Sequence, residues 1–94
     1  MNKLQILKSA KEVLNIESKA INDLAKSLNN DFYKAVKSIE SLKGKLIISG
    51  IGKSGNIASK IAASFTSTGI PSVFLNPVDA SHGDMGIIGA EDIL

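Results

Sequence analysis

Residues 45–55 read Lys-Leu-Ile-Ile-Ser-Gly-Ile-Gly-Lys-Ser-Gly, and the expected architecture follows from this segment. A short apolar run leads directly into three glycines and a lysine, and an amphipathic helical pattern comes next. This order is typical of a β-strand, a tight turn and the N-terminus of an α-helix. Such a turn presents backbone N–H groups and the positive end of the helix dipole to an anion. The segment therefore predicts a phosphate-bearing ligand at the mouth of an α/β sheet.

The sequence before this turn predicts two helices. Leucine and isoleucine recur every seven residues through residue 28, within a broad apolar stripe that suits either packing on its own domain or an oligomer interface. A polar break at 29–31 has helix-cap chemistry, and helical spacing resumes from Phe32 to Leu42. Gly44 is placed to end the second helix in a left-handed conformation.

The sequence from 46 onward alternates strands and helices. Residues 46–48 are continuously apolar, as in a strand buried on both faces. A helix follows from Ser54, the expected N-cap, to about residue 68, and a second strand covers 72–75. Asn76 then caps a short helix with proline in its first turn, and residues 82–86 leave it as a loop.

Strands separated by helices predict a parallel sheet with right-handed crossovers, so the expected fold class is α/β. We expect residues 1–44 to form an N-terminal helical segment and residues 45–94 to form the first part of the α/β core. A fresh apolar run begins at 91–94, where the chain stops. We therefore expect an incomplete sheet that belongs to a longer domain.

Composition excludes several classes of function. Eleven lysines against nine acidic residues give a formal charge of +2, and there is no arginine, which argues against a nucleic-acid partner. There is no cysteine, so disulfides and thiolate metal sites are ruled out. Neither a signal-peptide pattern nor an apolar run of about 18 residues occurs, which predicts a cytoplasmic protein without a membrane partner.

Lys53 is the first candidate for a functional side chain. Most exposed lysines are simply solvated. Glycines on both sides of this one let the backbone approach a ligand, and the ammonium would lie beside any anion that the turn holds. Ser54 has a hydroxyl that could either cap the helix or reach a phosphate. The predicted ligand-binding residues around the turn are Ser49, Gly50, Gly52, Ser54 and Gly55.

His82 is the second candidate, although a lone histidine is more often structural. It follows the second strand by seven residues, and open parallel sheets place ligands beyond the carboxyl ends of their strands. His82 and Lys53 are therefore expected to converge on one crevice, where Asp84 could orient or charge the imidazole. One histidine without further ligands at metal spacing predicts no metal site, and no cofactor is expected.

The segment 50–55 also matches the dinucleotide-binding pattern G-x-G-x-x-G. That hypothesis requires an acidic residue at the end of the second strand, and the nearest one, Asp79, falls inside the next predicted helix. A Walker A loop is excluded, because Ile47 stands where its first glycine would be.

Three segments together carry a family resemblance: Ser-Gly-Ile-Gly-Lys-Ser-Gly, Ala-Ser-Phe-Thr-Ser-Thr-Gly-Ile-Pro-Ser and Asn-Pro-Val-Asp-Ala-Ser-His-Gly-Asp-Met-Gly. From about residue 42 to residue 94 the chain resembles the sugar isomerase (SIS) domain of D-arabinose-5-phosphate isomerases. The resemblance implies a three-layer SIS-type parallel sheet flanked by helices. It also implies interconversion of D-ribulose 5-phosphate and D-arabinose 5-phosphate, the entry to the Kdo sugar of lipopolysaccharide and some capsules.

The resemblance also implies roles for individual residues. The family's catalytic lysine falls on Lys53 and its substrate-contacting histidine on His82. A Gly-Thr pair that touches substrate falls on Gly69 and Ile70, where the threonine is changed. A histidine associated with zinc falls on Asn76, so zinc binding is not expected. The family's phosphate loop, catalytic glutamate and usual CBS domains would lie beyond residue 94, and family members are typically homotetramers.

Two alternatives stay open. The first is a non-catalytic sugar-phosphate sensor, although such regulators normally carry a DNA-binding domain ahead of the SIS domain and the chain opens directly into the helices that precede it. The second is an NAD-type dehydrogenase, which depends on the G-x-G-x-x-G match. If the isomerase interpretation holds, we expect these 94 residues alone to lack turnover, because no carboxylate here is an obvious base.

Overall fold

The structure, a computed structural model, describes all residues from Met1 to Leu94. Its contacts divide the chain into two compact units, Met1–Lys34 and Ala35–Leu94. The order of elements is α1 (Lys3–Ser27), α2 (Asn30–Glu40), β1 (Leu46–Ser49), α3 (Lys53–Ser67), β2 (Ser72–Leu75), α4 (Pro77–Ser81) and a 3-10 helix (Asp84–Ile87). None of these helices combines the length and the apolar content that crossing a membrane requires.

Helix α1 is held by local interactions. Asn2 and Gln5 form a capping box, in which the backbone N–H of each donates to the side-chain oxygen of the other at 2.9 and 2.8 Å. The helix has no buried residue, and its large apolar side chains are all exposed. The predicted helix through residue 28 is confirmed, and its apolar stripe faces solvent.

Helix α2 begins at the predicted polar break, where the Asn29 side chain accepts a hydrogen bond from the Asp31 N–H at 2.9 Å. It ends at Glu40, and the expectation that Gly44 ends it in a left-handed conformation is wrong. Glycine is needed at position 44 for space, because a Cβ there would overlap the Asp92 carboxylate and the Glu91 carbonyl. Packing against a distant segment, rather than helix termination, selects this glycine.

The unit Ala35–Leu94 is built on a parallel sheet. β1 pairs with β2 in the register Leu46↔Ser72 to Ser49↔Leu75. A single parallel bridge pairs Leu46 with Ile93 on the other side of β1, and the short segment 91–94 that makes this bridge is here called the third strand. The spatial order is therefore β2, β1, third strand, which confirms the parallel α/β fold class predicted from the sequence.

The core lies between the sheet and α3. Its buried apolar residues are Leu46, Ile47, Ala58, Ala62 and Leu75, where the two alanines let the helix lie close to the strands. Burial of β1 on both faces holds for its first two residues, whereas Ile48 is half-buried. The reason is an apolar cavity of about 630 Å³ that is lined by β1, α4 and the segment after it, including Ile48, Ala80 and Met85.

Candidate functional site

The turn after β1 leaves the N-terminus of α3 open. Gly52 is the N-cap, with φ 61° and ψ −128°, a conformation that side chains disfavour, and no side chain caps the helix. Gly55 and Asn56 donate their N–H groups to Ile51 and Gly52. The N–H groups of Lys53 and Ser54 are thus the uncapped first-turn donors, in keeping with an anion site.

The expectation that Ser54 is the N-cap is wrong. The turn at Gly52, with its positive φ, places the N-cap two residues earlier than predicted, so α3 begins at Lys53 and Ser54 is the second residue of the helix. Lys53 and Ser54 are both exposed. The lysine side chain is therefore free to approach a ligand at the same end of the helix as the open N–H groups.

The other two glycines of the turn are required by packing. A Cβ on Gly55 would stand 2.6 Å from the Gly50 carbonyl oxygen, and a Cβ on Gly50 would stand 3.0 Å from the Ser54 carbonyl carbon. By contrast, nothing lies within 4 Å of a Cβ built on Gly52. Gly50 and Gly55 hold the turn tightly against the helix, and the space above Gly52 is open for a ligand.

His82 follows α4, which begins at the same edge of the sheet as the glycine turn. Because Ser49 pairs with Leu75, the carboxyl ends of β1 and β2 lie side by side, and both the glycine turn and α4 start there. Asn76 caps α4 by accepting from the N–H groups of Val78 and Asp79 at 2.8 and 3.4 Å. His82 ends this one-turn helix and is exposed, so α4 presents its imidazole after a single turn.

The order of the strands marks this edge as a binding position. From β1 the chain crosses to β2 on one side, and the third strand then pairs on the opposite side of β1. The direction of winding therefore reverses beside β1. Open parallel sheets bind ligands outside the carboxyl ends of their strands at such a switch point. The turn 50–55 sits directly there.

The remaining predicted residues are placed as follows. The Ser49 hydroxyl donates to the Leu75 carbonyl oxygen at 2.6 Å, so its proton joins the ends of the two strands and only its lone pairs are free for a ligand. Gly69, with φ 94°, closes the far end of α3, and Ile70 leads into the start of β2. The structure thus does not bring Gly69 and Ile70 to the Lys53 edge within one chain.

The predicted loop 82–86 is in part a 3-10 helix, Asp84–Ile87, entered through Gly83 at φ 126°. Asp84 is its first residue and is exposed. Asp79 lies inside α4, which agrees with its predicted position and leaves the end of β2 without the acidic residue of a dinucleotide site. No group of three or more His, Asp or Glu residues is arranged to hold a metal ion, and the Asn76 side-chain oxygen is engaged as a helix cap.

Sequence reasoning missed the ion pair between Lys45 and Asp92, whose Nζ and Oδ2 atoms are 2.6 Å apart. Asp92 also accepts from the N–H groups of Lys45 at 2.8 Å and Gly89 at 2.6 Å. The Lys45 ammonium first, and then these two backbone donors, lower the pKa of the Asp92 carboxyl from 3.8 to about 2. The sequence held one signal for this pair: Lys45 directly precedes β1, and Asp92 directly precedes the bridged residue Ile93.

The chain has relatives among known proteins, both in sequence and in structure. No protein-family model matches the chain. An uncharacterized protein of Rickettsia prowazekii is 47% identical over 85 residues, which are 90% of this chain and 27% of that protein. The arabinose 5-phosphate isomerase KdsD of Pseudomonas aeruginosa is 41% identical over 91 residues, 97% of this chain and 28% of the enzyme.

A solved Escherichia coli structure, described as a complex with arabinose 5-phosphate, superposes with a TM-score of 0.91 at 38% identity, covering 99% of this chain and 50% of that one. The chain therefore spans little more than a quarter of the curated relatives and half of the solved protein. Several further curated relatives at 40–45% identity are also named arabinose 5-phosphate isomerases. In sequence over nearly their whole length, and in fold, these 94 residues are homologous to part of the SIS-type sugar-phosphate isomerases, among them arabinose 5-phosphate isomerases.

Proposed function

We propose that the protein carrying this chain is an aldose–ketose isomerase that interconverts D-ribulose 5-phosphate and D-arabinose 5-phosphate. The observation that carries the proposal is the uncapped N-terminus of α3, with Lys53 beside it, at the switch point of the sheet. The names of the relatives and the sugar-phosphate complex of the Escherichia coli protein support the choice of substrate among sugar phosphates.

The α3 N-terminus supplies positive potential from two sources. The N–H groups of Lys53 and Ser54 point out of the first turn, and the Lys53 ammonium adds a full charge. A sugar phosphate carries a dianionic group, and isomerisation creates further negative charge on a sugar oxygen. Donors that are already oriented stabilise this charge without reorganisation, and their effect is greatest where it develops.

The reaction moves one proton between two neighbouring carbons. In the aldose-to-ketose direction a base removes the proton from C2, the carbonyl oxygen at C1 accepts a proton, and the 1,2-enediol forms. The proton then returns to C1 while the C2 hydroxyl loses its own proton, which leaves the ketone at C2. In our proposal Lys53 stabilises the enediolate oxygen, and His82 donates to a sugar oxygen or carries the oxygen-bound proton.

The carbon base is assigned to a residue outside these 94. The two acidic residues nearest His82 in the sequence are Asp79 in α4 and Asp84 in the 3-10 helix. Both are exposed, and neither carboxylate forms a hydrogen bond or an ion pair that would hold it in the site. The 94 residues by themselves are therefore expected to show no turnover. Ser49, Gly50, Gly52, Ser54 and Gly55 are proposed as the contacts that position the substrate, and Gly69 and Ile70 would reach it only from a second copy.

Replacement of Lys53 tests the proposal in the full-length protein. Lys53→Ala should lower kcat/KM for arabinose 5-phosphate about 10²–10³-fold, the usual effect of losing one donor to a developing oxyanion. Lys60→Ala is the matched control, because Lys60 is an exposed lysine on the same helix. Wild-type kcat/KM in Lys53→Ala would refute the role. Binding of the sugar phosphate without any turnover by the wild-type protein would favour a sensor instead.

Finer features of the protein follow as further proposals. A homo-oligomer, a tetramer in the intact protein, is supported by the exposed apolar residues of α1, since so many on one helix mark an association surface. We propose a cytoplasmic location and a place in Kdo synthesis for lipopolysaccharide or capsule. Residues 1–44 would act as the helical segment and 45–94 as the first part of the catalytic core.

A further inference from the structure

The proposed reaction does not use Asp92. Its carboxylate accepts three hydrogen bonds, more than any other side chain of the chain accepts. Its side chain is 5% exposed and receives hydrogen bonds from the Lys45 ammonium, the Lys45 N–H and the Gly89 N–H. The same ammonium also donates to the Ile87 carbonyl oxygen. Both carboxylate oxygens are therefore satisfied, by the nearby Gly89 and by Lys45, which lies 47 residues from Asp92 in the sequence.

These contacts fasten the start of the third strand to the start of β1. Next to the carboxylate, the Gly44 N–H donates to the Glu91 carbonyl, the Ile93 N–H to the Lys45 carbonyl, and the Ile47 N–H to the Ile93 carbonyl at 2.7 Å. Gly44 permits this approach because it has no Cβ to overlap Asp92. The carboxylate thus lies at the first point of contact between the two strands.

We propose that Asp92 is a positioning residue that fixes the register of the third strand on β1. The consequence for the ligand edge rests on the proposed function. Leu46 is bridged to Ile93, and Ser49 ends β1 at the ligand edge three residues beyond Leu46, about 10 Å along the strand, so the pairing at Ile93 sets the register in which the third strand runs toward that edge. A slip of one residue would exchange the two faces on which Ile93 and Leu94 lie, and so change the side chains that pack beside β1 below that edge.

An aspartate suits this task better than its neutral amide. Lys45 and Gly89 each direct a backbone N–H at one carboxylate oxygen, so the side-chain amide introduced by Asp92→Asn would set its NH₂ against one of them in either orientation. Glutamate would be longer by one methylene, and the space beside Asp92 is too narrow even for a Cβ on Gly44. The geometry therefore requires a short, doubly accepting side chain.

Two neighbouring amides of β1 give the experiment an internal reference. The Ile47 N–H bonds to Ile93 on the third-strand side, whereas the Leu46 N–H bonds to Pro71 on the β2 side at 2.8 Å. Amide hydrogen exchange of the full-length protein would be measured at both positions in wild type, Asp92→Asn and Lys45→Met. Two control variants accompany them. Glu40→Gln removes an exposed carboxylate that also lies 2.6 Å from a lysine, and Ala62→Gly weakens α3 at a buried position without changing a residue of the third strand.

We expect Asp92→Asn to speed exchange at Ile47 about tenfold or more relative to Leu46, with a smaller change in Lys45→Met, which keeps both backbone donors. Ala62→Gly should speed both amides together, and Glu40→Gln neither. An unchanged Ile47-to-Leu46 ratio in Asp92→Asn would overturn the register role. Exchange needs no substrate, so this result stands whether or not the protein proves to be an isomerase.

Activity then tests the link to the ligand edge. If wild type isomerises arabinose 5-phosphate, Asp92→Asn should lower kcat/KM at least about tenfold at a temperature where it is fully folded, while Ala62→Gly at equal loss of stability should retain it. Equal activity losses in the two variants would reduce Asp92 to a stabilising residue and overturn the positioning role.

Discussion

Gly52→Ala isolates the backbone conformation on which the open helix end depends. The residue has φ 61° and ψ −128°, and nothing lies within 4 Å of a Cβ built there, so an added methyl group meets no atom. What remains is the conformational energy of placing an L-residue in this region, about 1–3 kcal/mol. Alanine also loses less entropy on folding than glycine, which offsets about 0.4–1 kcal/mol. From the middle of these two ranges, the expected net loss of stability is about 1.3 kcal/mol.

Gly86→Ala is the matched control, because Gly86 also has nothing within 4 Å of its Cβ position but does not have a positive φ. There only the entropic part acts, and we expect a gain of about 0.4–1 kcal/mol. Urea unfolding of the full-length protein, followed by two independent probes, would measure both variants. If Gly52→Ala proved as stable as Gly86→Ala, the left-handed turn would not be the feature that opens α3.

Two further predictions concern the helix cap of α4 and the half-buried carboxylate of Asp92. Asn76→Ala removes the oxygen that caps α4 and should lower the free energy of unfolding in urea by about 0.5–2 kcal/mol. Asn76→Asp retains an acceptor and should keep most of that free energy. The pKa of Asp92 is lowered from 3.8 to about 2, so its contribution to stability is fully present above about pH 4 and is lost as the pH falls through 2. The urea midpoint of wild type should therefore fall more steeply than that of Asp92→Asn between about pH 5 and pH 2; parallel curves would contradict the assignment.

Sequence patterns predicted the elements well where one local signal dominates. The second strand was expected at 72–75 and is Ser72–Leu75, because apolar residues there are bounded by Pro71 and by the Asn76–Pro77 cap. The first helix was likewise expected to end at residue 28 and ends at Ser27. Hydrophobic period and cap chemistry are properties of adjacent residues, so they can be read without knowing the fold.

The errors arose where distant segments meet. Gly44 was assigned to a helix end, yet Asp92 and Glu91 determine why it is glycine. Ser54 was assigned as the N-cap because serine is a good cap, whereas the turn at Gly52, with its positive φ, places the N-cap two residues earlier. The Lys45–Asp92 pair joins residues 47 positions apart, and nothing in the sequence around either residue identifies the other as its partner.

The candidate site was predicted in part for the same reason. The glycine turn and His82 follow two strands whose parallel pairing brings their ends together, and this can be deduced from the order of elements. The separation of Gly69 and Ile70 from that edge also follows from the topology, since they join the end of α3 to the start of β2. Their suggested role came from the family resemblance and therefore carried no information about position.

The central place of β1 has a consequence during synthesis on the ribosome. One neighbour, β2, is made soon after it, but the partner for its other side is encoded 47 residues beyond Lys45. At about 5–20 residues per second, that side remains bare for roughly 2–9 s. A bare strand side can pair with another nascent chain. Translation speed across this interval, and chaperones that shield the emerging polypeptide, would thus govern how much of the protein matures without aggregating.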